Sequence, residues 1–199
     1  MQNVLIGLLY LVSNEAFIDV AQDLFSRYGL KKVTMDEIAK NAHISKATIY
    51  KKYKNKNEIF NKVVENEFKL LLSHIEEAVA NETNTVGKLR AHLTTKMNKL
   101  NELINFYYVT QDSWSYYWSF VDKLRKQFVL KEKEIVKNIL IDGNESNELD
   151  VENTDQTAHI MVLALKSLEF PWVKDELGVP SSSYIESMLN ILMNGLKRR

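Results

Sequence analysis

The stretch TMDEIAKNAHISKATIYKKYKNKNEIF, residues 34–60, decides the fold, because it marks three helix starts in side-chain chemistry. Thr34 and Glu37 have the spacing of a capping box: the hydroxyl accepts the amide of the third helical residue and the carboxylate reaches back. Val33 and Ile38 stand at the staple positions around that cap. Ser45 reads as a second N-cap, with Ile44 and Ile49 at the same staple spacing. Asn55 with Glu58 repeats the pattern for a third helix. The spacing predicts a helix over 35–42, a corner at Ala42, His43 and Ile44, and a further helix from Lys46 to about Tyr53.

Helical period then sorts these residues into faces. Ile38, Ala39 and Ala42 turn inward on the first helix of the pair, and Ile49 and Tyr53 on the second. Lys46, Ala47, Tyr50 and Lys51 share the opposite, exposed side. Upstream, Phe17, Ala21, Leu24, Phe25 and Tyr28 form the stripe of a preceding helix, which Gly29 is placed to end in a left-handed cap. The unit is a helix-turn-helix.

Charge points to what the exposed face meets. The whole chain carries 26 basic and 26 acidic residues and is formally neutral. Between Lys31 and Lys56, however, eight lysines face only Asp36 and Glu37, a local net charge of +6. A lysine-rich surface by itself is commonly just a solvated one. On a capped helix-turn-helix it is the electrostatic footprint of a DNA-binding surface.

The segment GLKKVTMDEIAKNAHISKATIYKKYKNKNEIF resembles the DNA-binding module of the TetR (tetracycline-repressor-like) family of bacterial regulators. The matching residues are Gly29, Thr34, Ile38, Ala39, Ala42, Ile44, Ser45, Lys46, Thr48, Ile49, Tyr50, Tyr53, Lys56 and Glu58, within roughly residues 17–64. Two positions depart from the pattern. His43 stands where the family usually has a turn glycine, and Ala47 where many members have glycine against the bases. Histidine tolerates positive φ better than most residues, and an alanine methyl can meet a thymine methyl. The resemblance implies backbone-phosphate contacts from Thr34, Ser45, Thr48, Tyr53 and Lys56. It places Lys46, Ala47 and Tyr50 nearest the base edges, with Lys51 and Lys52 flanking. Such contacts position the protein without revealing the operator sequence.

The rest of the chain bounds the answer. With 45% hydrophobic residues, only Pro171 and Pro180, six glycines and no sustained strand alternation, the expected class is all-α. Three segments are expected: an apolar N-terminal extension at 1–13, a three-helix DNA-binding domain at 14–60, and a larger helical effector-binding and dimerisation domain at 61–199. Residues 4–12 are almost wholly apolar, but no charged leader precedes them and they are too few to span a bilayer. Targeting is therefore not expected, the protein is placed in the cytoplasm, and residues 1–13 are expected to be dispensable for DNA binding.

With no cysteine, disulfides and thiolate metal sites are excluded, and the histidines at 43, 74, 92 and 159 lack paired ligand spacing. No phosphate loop, nucleophile elbow or metal motif suggests an enzyme, so no catalytic residue and no cofactor is expected.

From Asn57 the apolar period runs on through Ile59, Phe60, Val63, Val64, Phe68, Leu71 and Leu72, which predicts one long helix leaving the helix-turn-helix. Polar breaks at 81–85, 142–147 and 171–183 leave further helices at about 86–109, 111–141, 151–170 and 182–196. Eight of the chain's aromatics fall between Phe106 and Phe120. This cluster is ordinary core, a partner surface, or the wall of a pocket for an apolar or amphipathic molecule. The resemblance favours the pocket, lined by Tyr107, Trp114, Tyr117 and Trp118, with Gln111 and Asp112 near enough in sequence to orient a polar group. Residues 158–168 are apolar nearly all round, and Tyr184, Ile185, Met188, Leu189, Leu192 and Leu196 give the last helix a broad apolar face. Intrachain packing would account for both. The resemblance implies instead that these two helices pair with their twins in a homodimer, whose two heads read a pseudo-palindromic operator.

Overall fold

The computed structural model describes the backbone over residues 2–100, 103, 118–173 and 181–196, and most side chains from Phe17 onward within those ranges. Eight helices and no strand occur among the described residues: α1 (Gln2–Lys32), α2 (Met35–Asn41), α3 (Lys46–Lys52), α4 (Lys56–Ala80), α5 (Thr85–Leu100), α6 (Trp118–Glu145), α7 (Thr154–Val173) and α8 (Ser181–Leu196). The fold is all-α. None of the described helices is long and apolar enough to cross a membrane.

Two compact units divide the chain, and along α4 the first gives way to the second between Glu67 and Phe68. In the first unit, Phe17, Ile18, Ala21, Leu24 and Phe25 of α1 are buried, with Val33, Ile38, Ala39 and Ile49 of the helix-turn-helix and Ile59, Phe60, Val63 and Val64 of α4. The rings of Phe25 and Phe60 meet edge to face at 5.2 Å. Each fully buried large apolar side chain contributes roughly 1.5–3 kcal/mol. Tyr28, expected on the inner stripe, is instead 57% exposed. It lies one residue before the backbone leaves helical geometry at Gly29, where the regular face ends.

Gly29 does break the helix, though not as a left-handed cap. Its φ of 76° and ψ of 154° belong to a region open essentially to glycine, and helical backbone resumes for Leu30 to Lys32. The apolar residues expected to stand apart at the N-terminus are helical and continuous with α1.

In the second unit, α5 buries Leu89, His92, Leu93, Lys96, Met97 and Leu100 along one stripe and packs against α7 and α8. Phe128, Val136, Ile139 and Leu140 of α6, Met161, Val162 and Leu165 of α7, and Ile185 and Leu189 of α8 complete that core. An ion cluster lies within it. The Lys96 ammonium donates to both oxygens of Glu132, at 2.7 and 2.9 Å, and His92 Nε2 lies 3.0 Å from the same carboxylate.

The loop expected at 142–147 begins later, because α6 continues to Glu145. Gly143 explains the shift: a Cβ there would lie 2.7 Å from Leu149 Cδ1, and its carbonyl accepts the amides of Glu148 and Leu149 at 2.9 and 3.0 Å. That glycine closes the helix end rather than opening a loop. Likewise α7 runs through Pro171 to Val173, beyond its expected end.

Candidate nucleic-acid interface

Residues 34–58 are assembled by their caps. Thr34 is extended (φ −115°, ψ 158°), and its hydroxyl accepts the Glu37 amide at 3.2 Å. The Glu37 carboxylate in turn accepts the Thr34 amide at 2.8 Å and its hydroxyl at 2.9 Å, closing the capping box. Ser45 Oγ accepts the Thr48 amide at 3.1 Å and lies 2.8 Å from the Thr48 hydroxyl. Asn55 Oδ1 accepts the amides of Asn57 and Glu58 at 3.0 and 3.1 Å. The reciprocal bond of this third cap lands one residue early, since the Glu58 carboxylate accepts the amide of Lys54. Between α2 and α3 the chain turns at His43, whose φ of 54° is the positive value the departure from glycine had implied.

The caps present one face of α3. Ile49 is fully buried, while Lys46, Ala47, Tyr50 and Lys51 are exposed on the other side. Tyr50 keeps half of its surface in water. Thr34, Ser45, Thr48 and Lys52 are exposed as well. Lys52 Nζ stands 6.0 Å from the Phe17 ring centre and 5.8 Å from that of Tyr53. Tyr53 caps α3 in extended conformation, half-buried with its ring edge-on to Phe17 at 5.7 Å. Burial, and then the Glu65 and Glu58 carboxylates, push the Tyr53 phenol above its ordinary range, so it keeps its proton as a hydrogen-bond donor.

Two cations are held in ways the spacing did not foretell. Lys46 pairs with the Asp36 carboxylate across the turn, both side chains being mostly exposed. No helical period spans the turn, so nothing in sequence distance marks that pair. Lys56, expected at a phosphate, is the second. Its ammonium donates to the backbone carbonyls of Leu30, Lys31 and Val33 at 2.8, 3.0 and 2.9 Å.

Of the aromatic residues expected to line a pocket, Tyr107, Trp114 and Tyr117 lie outside the described residues. Trp118 opens α6, and its side chain is likewise outside the description. No cluster of three or more potential metal ligands occurs among the described residues.

The fold and this face define a helix-turn-helix protein whose exposed surface is suited to a polyanion. Residues 17–63, the helix-turn-helix with its flanking helices, match the family model described as bacterial regulatory proteins, tetR family. The chain is 41% identical over 61 residues to the negative transcriptional regulator IcaR of the biofilm operon icaADBC in Staphylococcus epidermidis. That match covers 31% of this chain and 33% of the relative. It is 36% identical over 62 residues to an HTH-type regulator of Bacillus subtilis, YhgD, over 31% and 32% of the two chains. The chain thus spans about a third of the length of the curated relatives it matches.

Structural likeness extends further than sequence likeness. A transcriptional regulator from Cytophaga hutchinsonii superposes with a TM-score of 0.79 at 20% identity, over 92% of this chain and 98% of that one. FadR from Bacillus subtilis, solved in complex with stearoyl-CoA, gives 0.70 at 21% identity over the same shares. At such identities the likeness establishes the fold of both units.

Proposed function

We propose that this chain is a DNA-binding transcription regulator that acts as a homodimeric repressor, released from a pseudo-palindromic operator by a small apolar or amphipathic effector. One observation carries the reading: the exposed Lys46, Ala47, Tyr50 and Lys51 face on a capped, tetR-family helix-turn-helix. Thr34, Ser45, Thr48 and Tyr53 bring hydroxyls to the phosphates, Lys46, Ala47 and Tyr50 face base edges, and Lys51 and Lys52 add flanking charge. The cytoplasm, where such DNA is met, is the site of action.

Dimerisation is supported by apolar residues left in water on the last two described helices. Ile160 and Leu163 of α7 are 60% and 47% exposed, and Ile191 of α8 is 73% exposed. Repression follows the relative IcaR, named a negative regulator. An effector of the stated kind follows FadR, solved with an acyl-CoA, with Tyr107, Trp114, Tyr117 and Trp118 proposed as its contacts. To release DNA, the effector must bind the DNA-incompetent arrangement more tightly. A differential of about 2–3 kcal/mol weakens operator binding roughly 30- to 150-fold.

The test is binding of the purified protein to its own upstream promoter, against random DNA across a salt series, with stoichiometry. Salt-sensitive binding of one dimer to one palindromic site is expected. Equal, weak binding to both DNAs would remove the operator reading. A regulator controlled by a protein partner instead would bind DNA alike but show no release across a panel of acyl-CoAs and other amphiphiles.

A further inference from the structure

The half-buried Lys56, through its ammonium, closes a ring of chain. The last carbonyls of a helix have no partners within it and carry its negative dipole end. At the end of α1 the non-helical Gly29 turns the backbone, and the carbonyls of Leu30, Lys31 and Val33 converge on one point. Lys56, in the first turn of α4, places its ammonium there at 2.8–3.0 Å from all three. An ammonium has three protons to donate, so this one is saturated by backbone. The gripped Val33 immediately precedes Thr34, the N-cap of α2, and Lys56 follows the C-cap of α3 at Tyr53 by a short loop. Residues 34–53, the whole helix-turn-helix, therefore form a loop cinched at its neck.

We infer that Lys56 is a positioning residue for DNA recognition: it clasps entry and exit of the helix-turn-helix through backbone carbonyls and makes no phosphate contact. The consequence for DNA rests on the function proposed above; the clasp itself does not. A clasp and a phosphate contact respond oppositely to conservative change. A phosphate accepts arginine in place of lysine readily, whereas the planar guanidinium cannot direct three protons to carbonyls converging on one point. Losing a phosphate contact also lowers the slope of log K against log salt by about 0.9. Losing a clasp leaves that slope alone, because every phosphate-facing charge remains.

Lys56→Met and Lys56→Arg are compared with the native chain by amide hydrogen exchange and by DNA binding over a salt series, with Lys51→Met as the charge-loss control. In both Lys56 variants exchange over residues 35–52 should accelerate about tenfold or more, with amides of α5 to α8 unchanged as the internal mark of a folded chain. Affinity for DNA should fall in both with the salt slope of the native protein, while Lys51→Met lowers the slope. Unaltered exchange, or a lowered slope in Lys56→Met that arginine restores, overturns the clasp. If Lys56→Met unfolds throughout, Lys56→Arg decides by the same two readings. Absence of any salt-sensitive DNA binding by the native chain would sink the proposed function, and hydrogen exchange would still decide the clasp.

Discussion

At the residue scale, backbone conformation and charge pairing set what a substitution does. Gly29 holds φ 76° and ψ 154°, and a Cβ added there would meet nothing within 4 Å. The cost of Gly29→Ala is therefore conformational alone, about 1–3 kcal/mol of stability, read as a lowered midpoint in urea unfolding; an unchanged midpoint would mean the glycine conformation is not needed. Lys46 and Asp36 are both exposed, so their pair adds little stability, between about 0 and 1 kcal/mol. Its weight falls on binding. Asp36→Asn should raise affinity for any DNA several-fold by freeing Lys46 and removing a negative charge beside the phosphates. Tyr50→Ala should instead lower affinity for the operator selectively. Fluorescence anisotropy with operator and random duplexes separates the two, and equal losses on both duplexes for Tyr50→Ala would refute its place at the bases.

At the element scale, α5 and α6 carry the most consequential choice in the larger unit. His92, Lys96 and Glu132 are each no more than 1% exposed. Burial alone would raise the Glu132 carboxyl, but the Lys96 charge and the His92 hydrogen bond outweigh it, so the group titrates below the usual carboxylate range. A lowered carboxyl contributes stability above its unfolded value, and that contribution is lost as pH falls through the folded value. The larger unit should therefore lose stability below about pH 4. Glu132→Gln should cost about 3–5 kcal/mol by breaking the buried ion pair with Lys96, whereas the double change Lys96→Met with Glu132→Leu should recover most of it. Thermal unfolding from pH 3 to 7 checks both parts. A single variant as stable as the native chain would show that the Glu132 charge does not hold this core together.

For the whole molecule, assembly is the property that the single chain leaves open on its surface. Ile160 and Leu163 lie on the side of α7 opposite the buried Ala158, Met161, Val162 and Leu165. Exposed surface changes alone seldom move stability by more than about 0.5 kcal/mol, so Ile160→Asp with Leu163→Asp should leave helix content intact. The same pair of changes should convert dimer to monomer in sedimentation velocity and weaken operator binding in parallel. A dimer that persists would place the interface elsewhere.

Much of this was legible in the chain because it is local chemistry. The caps at Thr34, Ser45 and Asn55 and the outward face of α3 follow from neighbours within four residues, while the positive φ at His43 was implied by the resemblance, which has a glycine there. The buried run from Ile59 to Leu72 was equally readable from its period. Other features needed tertiary structure because their partners are distant in sequence. Lys56 meets carbonyls 23 to 26 residues away, Leu149 folds back over Gly143 where a side chain would not fit, and Lys96 enters the core because Glu132, 36 residues on, meets it there. A lysine in a helical stripe reads the same whether it points to water, phosphate or backbone; only the fold brings the acceptor that decides.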